Sequence, residues 1–154
     1  MRTPANHDSA TVLVADDDED LRALVVATLR ADGYTVLEAR DGVELLDHLV
    51  RAVDVPSERP DVVVTDVRMP NLSGLGVLES LRRAHMALPV VVMTVFADES
   101  VRTMARRLGA VGLLKKPFDF DDLRTAVWNA QMAFTRGVER DAQSMKAPPS
   151  SRQR

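Results

Sequence analysis

The stretch Val12-Leu13-Val14-Ala15-Asp16-Asp17-Asp18-Glu19-Asp20 decides the fold. Four apolar residues without polar alternation read as a strand covered on both faces. Five acids follow at once. Acids suit a helix N-terminus through its dipole, which accounts for Asp18 to Asp20. It accounts less well for Asp16 and Asp17, which stand at the strand's carboxyl end. Adjacent like charges held in a crevice are costly unless a cation neutralises them. A hard divalent cation with oxygen ligands does so; Mg²⁺ takes one or two carboxylates and keeps several waters.

Outward from this stretch, strand and helix patterns alternate. Apolar runs recur at Thr35-Val36-Leu37, Val62-Val63-Val64, Val90-Val91-Val92-Met93 and the shorter Leu113-Leu114. Helical periods lie between and after them. The first uses Leu21, Leu24, Val25, Thr28 and Leu29. The second uses Val43, Leu46, Val50 and Val53, with Asp41 and Glu44 resembling a capping box. The third starts near Ser73 and uses Leu75, Leu78 and Leu81. The fourth uses Val101, Met104, Ala105 and Leu108 after Asp98. The last uses Leu123, Ala126, Val127, Ala130 and Phe134, with Asp119 as its cap. Gly33, Gly109 and Gly112 suit helix ends or the turns that follow. Five strands alternating with five helices predict an α/β fold, a three-layer doubly wound (βα)5 with a five-stranded parallel sheet.

The chain has 154 residues and a mass of 17.0 kDa, a single-domain size. Residues 1–10 read as an N-terminal extension and 11–136 as the domain. Residues 137–154 carry Pro148, Pro149, Ser150 and Ser151 and end in Arg152-Gln153-Arg154; they read as a disordered tail, or as the start of a linker. The loop from Asp54 to Pro60 is long and polar and is assigned no function. Hydrophobic residues at 45% and charged residues at 28% are ordinary for a globular protein. The absence of cysteine excludes disulfides, thiolate metal sites and thiol catalysis. A net charge of −3 and a pI near 5.6 argue against nucleic-acid binding. Ala87 to Ala97 is the longest apolar run, too short for a membrane helix and interrupted by Pro89 and Thr94. Met1 to Ala10 has no apolar core for a secretory signal. A soluble, cytoplasmic protein without membrane contact is expected. His7, His48 and His85 show no ligand spacing, the methionines read as core filler and helix surface, and Trp128 reads as packing.

Asp66 follows Val62-Val63-Val64-Thr65 and leads into Val67-Arg68-Met69-Pro70. In an open α/β sheet, ligands bind beyond the strands' carboxyl ends, where strand order reverses. If the strand order is the flavodoxin-like 2-1-3-4-5, strands one and three are neighbours across that point, and Asp16, Asp17 and Asp66 would converge on one crevice. Three carboxylates without a base among them make a metal site, and one of them can act as a nucleophile to give an aspartyl phosphate. Thr94 ends the fourth apolar run, and Lys116 follows the fifth, just before Pro117. A hydroxyl and an ammonium can donate to phosphoryl oxygens that the metal leaves free. Either residue alone is commonplace. Their joint placement at the strand ends carries the argument.

In order and at their spacing, these motifs resemble the receiver domain of bacterial two-component response regulators, the fold of the chemotaxis regulator. The resemblance runs from about Thr11 to Phe134. It is carried by Val12-Leu13-Val14-Ala15-Asp16-Asp17 with Arg22, by Ala39-Arg40-Asp41-Gly42-Val43-Glu44-Leu45-Leu46, and by Pro60-Asp61-Val62-Val63-Val64-Thr65-Asp66 with Met69-Pro70. Gly74 with Gly76, Leu88-Pro89-Val90 through Thr94, and Gly109-Ala110 with Lys116-Pro117-Phe118 complete it. The resemblance implies that Asp66 is the phosphoacceptor, phosphorylated by the phosphohistidine of a sensor histidine kinase or histidine phosphotransfer protein. It implies that Asp17 ligates Mg²⁺ directly, Asp16 through water, and the backbone carbonyl of Arg68 as a further ligand beside Asp66. Thr94 and Lys116 would hold the phosphoryl oxygens, with the Lys116-Pro117 peptide cis.

What this implies is a single-domain response regulator with no output domain. It would be a signalling protein rather than an enzyme, catalysing only its own phosphorylation and dephosphorylation. It would act through protein contacts of the fourth helix, fifth strand and fifth helix on an unknown downstream protein; phosphorylation-dependent homodimerisation stays open. Two positions depart from the family. Val95 and Phe96 follow Thr94 where a small residue is favoured, giving a bulkier wall over the acyl phosphate. Leu113 stands where an aromatic often couples to the threonine. Two alternatives remain: a receiver-like binding module that is never phosphorylated, and a Mg²⁺-dependent phosphohydrolase of the haloacid-dehalogenase type. Asp16 and Asp18 superficially match the latter's Asp-x-Asp start. That enzyme needs a later acidic pair, and here the late acid is the lone Asp66. A flavodoxin's first loop must cradle phosphate, which five carboxylates would repel.

Overall fold

A computed structural model describes residues 10–146, with side chains described for 10–134. Five parallel strands form one sheet in the order β2-β1-β3-β4-β5. They are β1 (Thr11–Ala15), β2 (Thr35–Ala39), β3 (Val62–Asp66), β4 (Val90–Thr94) and β5 (Gly112–Lys115). The helices are α1 (Glu19–Ala31), α2 (Gly42–Asp54), α3 (Gly74–Arg83), α4 (Glu99–Arg107) and α5 (Phe120–Lys146), with a 3-10 turn at Pro56–Glu58. This is the doubly wound architecture that the alternating runs predict, in the flavodoxin-like order that the resemblance implies.

The continuous apolar runs still obey the two-residue period of a strand. In β1, Val12 and Val14 face a core shared with Val25, Val26 and Leu29 of α1 and Leu123 and Val127 of α5. Leu13 and Ala15 face the other way, onto Leu45 and Leu49 of α2, Val77, Leu78 and Leu81 of α3, and Ala105 of α4. β3 and β4 are buried along their whole length. At about 1.5–3 kcal/mol for each fully buried Val or Leu side chain, this double-sided burial drives assembly.

Side-chain caps fix where the helices begin. Asp18, Asp41, Ser73 and Asp98 each accept a hydrogen bond from the backbone N–H three residues on, at the starts of α1, α2, α3 and α4. Gly33 and Gly109 follow α1 and α4 with φ of +96° and +79°, a backbone that favours glycine.

Four sequence expectations need correction. α2 buries Gly42, Leu45, Leu49 and Ala52, whereas Val43, Val50 and Val53 of the expected stripe face solvent. The helix is apolar on two neighbouring stripes, and a tertiary contact sets its phase: a Cβ on Gly42 would collide with the backbone carbonyl of Leu72. Leu24 of α1 is likewise exposed, and Val26 is buried beside Val25. Gly112 does not sit in a turn but opens β5, paired with Val91. The boundary at 136 marks no break, because α5 runs on to Lys146. Between Arg136 and Lys146 there is no proline and a single glycine, Gly137, and Glu139, Arg140, Ala142, Gln143 and Met145 all favour helix. The remaining tail, 147–154, and the extension before Ala10 lie outside the described residues. Among the described residues, no helix is long and apolar enough to cross a membrane.

Candidate functional site

The site is built where β1 and β3 part, at the carboxyl edge of the sheet. β1 lies between β2 and β3; α1 carries the chain from β1 to β2 on one face, and α3 carries it from β3 to β4 on the opposite face. That reversal opens the crevice. Asp16 and Asp17 follow β1, and Asp66 ends β3. Each of these three residues offers a carboxylate oxygen, all within 4.8 Å of one another. Asp16 is fully buried, Asp66 is 7% exposed and Asp17 is exposed.

Several bonds hold the carboxylates in place. Asp18 N–H donates to Asp16 Oδ1 at 3.0 Å, and Arg68 N–H donates to Asp66 Oδ1 at 3.2 Å. Lys116 directly follows β5 and joins Pro117 through a cis peptide. Its Nζ donates to Asp16 Oδ2 at 2.8 Å and to Asp66 Oδ2 at 3.0 Å. Thr94 ends β4, beside β3, and is almost fully buried. The register sets Met93 opposite Asp66, so Thr94 lies one residue further toward the rim. Its Oγ1 accepts from Phe96 N–H at 3.1 Å. Every residue expected at the site thus stands at this one edge.

Burial pushes the Asp66 carboxyl above its ordinary range, and the charge of Asp16 adds to this; the hydrogen bond from Lys116 works against it. Burial alone would lower the Lys116 ammonium, but its hydrogen bonds with Asp16 and Asp66 outweigh that and raise it. One ammonium faces three carboxylates, so the cluster keeps a net negative charge. Three convergent hard oxygen donors of that charge fit Mg²⁺.

The structure adds groups that were not singled out as site residues. Arg22 is 8% exposed; its Nη1 donates to the Asp16 carbonyl at 2.8 Å and its Nε to Glu38 at 3.3 Å. The signal for it was a lone arginine one turn into the helix that follows the acids. Gly74 packs so closely that a Cβ there would collide with the Asp66 carbonyl oxygen, and its N–H donates to Val67 O at 3.0 Å. The Arg68 guanidinium lies 4.5 Å over the Phe96 ring. Val95 and Phe96 are 56% and 54% exposed, so they stand on the rim and do not close over the site.

Comparison with known proteins agrees with this geometry. MprA, a response regulator of Mycobacterium bovis, is 40% identical over 115 residues, which cover 75% of this chain and 47% of that protein. The DNA-binding transcriptional regulator NtrC of Escherichia coli is 36% identical over 111 residues, covering 72% of this chain and 22% of NtrC. The chain therefore spans less than half the length of these relatives. Among solved structures, the response regulator TrrA of Thermotoga maritima in complex with Mg²⁺-BeF is 27% identical, with a TM-score of 0.67 over 78% of this chain and 97% of that one. The model of the response regulator receiver domain matches residues 12–128, and the chain belongs to that family of two-component signalling domains.

Proposed function

We propose that Asp66 accepts a phosphoryl group from the phosphohistidine of a sensor histidine kinase or histidine phosphotransfer protein. An Asp66 carboxylate oxygen attacks phosphorus. The new O–P bond forms as the P–N bond to the imidazole breaks, and the imidazole leaves with the electron pair. The observation that carries this reading is the convergence of Asp16, Asp17 and Asp66 under the Lys116 ammonium.

The other residues position and neutralise. Asp16, Asp17, Asp66 and the Arg68 backbone carbonyl would hold Mg²⁺. When bound, that ion supplies charge neutralisation for the phosphoryl oxygens. Lys116 follows its partner: once an Asp66 oxygen carries the phosphoryl group, its ammonium can donate to a phosphoryl oxygen instead. Thr94 offers a hydroxyl donor from the neighbouring strand. Phosphoryl transfer demands little covalent work from a protein, so aligned charge and donors suffice.

The output would be protein contact through α4, β5 and α5, where Met104 and Val111 are exposed beside Arg106 and Lys115. A cytoplasmic location belongs to the same proposal. It is tested by intact-protein mass after incubation with acetyl phosphate. A single phosphoryl adduct is expected in wild type with Mg²⁺, and none with EDTA or in Asp66→Asn. An adduct that persists in Asp66→Asn rejects the assignment.

A further inference from the structure

Helix α2 turns to solvent an apolar stripe that the carboxylate site does not use. Val43, Val50 and Val53 are 47%, 56% and 62% exposed, and Leu46 is half-buried among them. Apolar residues scattered singly over a surface are ordinary. These four are aligned. Their spacing of three, four and three residues returns each to one side of an α-helix. It is also the spacing with which two helices pack knobs into holes. The helix already has its core face in Leu45, Leu49 and Ala52. At its start Gly42 lies against Leu72, and toward its end the stripe opens further to solvent.

Two features say what covers the stripe. The first is its symmetry. Val43 and Val53 stand five residues before and after His48, and Leu46 and Val50 stand two residues before and after it. A second α2 laid antiparallel, with a two-fold axis at the level of His48, therefore sets Val43 against Val53 and Leu46 against Val50. A closed two-fold interface requires such a self-complementary patch.

The second feature is charge. Asp47 and Arg51 are exposed one turn apart, and Arg51 has no ion-pair partner among the described residues. In the antiparallel arrangement Arg51 of one copy comes within about two residues of the level of Asp47 of the other, or about 3 Å along the helix axis. The two acids then meet at the axis with an arginine outside each, and the four charges cancel. A membrane is a poorer occupant. Its anionic headgroups would meet Asp47 and Asp54, where a surface helix carries Lys and Arg.

We propose that α2 is a self-association face, on which a second copy of this chain packs its own α2 antiparallel. One helix from each copy buries a small area, so the dimer is weak and depends on concentration. No residue of the stripe belongs to the carboxylate site, and the pairing requires neither a metal ion nor a phosphoryl group.

Sedimentation equilibrium of the full chain, in EDTA and without a phosphodonor, tests it. Wild type should rise from the monomer mass of 17.0 kDa toward twice that value as concentration grows from about 10 µM to about 1 mM. Asp66→Asn should do the same, which separates this face from the phosphoacceptor reading. Val50→Asp leaves the core face of α2 untouched and should associate at least about tenfold more weakly. Arg51→Glu should also weaken association, because it gathers four acids at the axis, and adding Asp47→Arg should restore it. The chain has no cysteine, so introduced thiols are unique. When Val43→Cys protein is mixed with Val53→Cys protein and oxidised, the mixed disulfide should form several-fold faster than either like pair. Val50→Asp that associates as wild type does, no rescue by Asp47→Arg, or like pairs that outpace the mixed one overturns the antiparallel pairing. Wild type held at monomer mass throughout also overturns it and leaves the stripe to a different protein.

Discussion

The Lys116 ammonium lies 3.0 Å from Asp66 Oδ2, although fifty residues separate them along the chain. The same nitrogen lies 2.8 Å from Asp16 Oδ2. One cation from the end of β5 therefore ties together the ends of β1 and β3. Much of the site's behaviour follows from that bridge.

Lys116→Met should destabilise the metal-free protein. Its side chain is 11% exposed, and those of Asp16 and Asp66 are 0% and 10% exposed. Removing the shared cation leaves two buried carboxylates facing each other, at a cost of about 3 kcal/mol. Urea unfolding in EDTA reads the loss, and added Mg²⁺ should recover part of it. An unchanged midpoint would mean that the bridge contributes nothing.

Asp66→Asn should act in the opposite direction, with a defined pH dependence. Burial raises the Asp66 carboxyl above its unfolded value. The folded state then binds the proton more tightly than the unfolded state, so ionising Asp66 costs stability. The cost is absent below the ordinary carboxylate range and sets in as pH rises through the raised value. In metal-free buffer the variant should match wild type near pH 4 and exceed it near pH 7. A variant less stable than wild type at neutral pH contradicts this sign.

Gly74→Ala should lose about 2–4 kcal/mol, because the added carbon meets the Asp66 carbonyl oxygen and α3 must shift away. The same shift moves the phosphoacceptor, so phosphoryl adduct formation should slow even where the variant is fully folded. Thermal unfolding and adduct kinetics measured together check both parts.

Arg22→Met should weaken Mg²⁺ binding about tenfold without removing a ligand. It keeps the packing of the aliphatic stem but drops the bond to the Asp16 carbonyl. Isothermal titration with Mg²⁺ reads the change. Unaltered affinity would mean that the turn after β1 needs no such brace.

The strand ends were legible because a doubly covered sheet writes each strand as an apolar run, and the first polar residue after the run marks its carboxyl edge. Asp16 and Thr94 are found that way; Asp66 comes one residue later, after Thr65, and Lys116 stands one residue beyond β5. The phase of α2 was not legible. Val43, Val50 and Val53 are as apolar as Leu45, Leu49 and Ala52, and only the close approach of Gly42 to Leu72 selects between the stripes. The bond from Arg22 to the Asp16 carbonyl and the stack of Arg68 on Phe96 were hidden for a related reason: local periodicity does not tell which side chain meets which neighbour across a turn or between strands. The end of α5 was misplaced because a loss of apolar period signals the end of packing, not the end of a helix.

The most direct test is to find which carboxylate carries the phosphoryl group. Borohydride reduction of the acetyl phosphate-treated protein converts an aspartyl phosphate to homoserine, and peptide mass mapping locates it. The account predicts homoserine at position 66, dependent on Mg²⁺, with positions 16 and 17 unchanged. Homoserine at 16 would contradict it and favour a nucleophile on the first strand, as in a phosphohydrolase. A chain left wholly unmodified by acetyl phosphate and by phosphohistidine donors would contradict it in favour of a module that only binds.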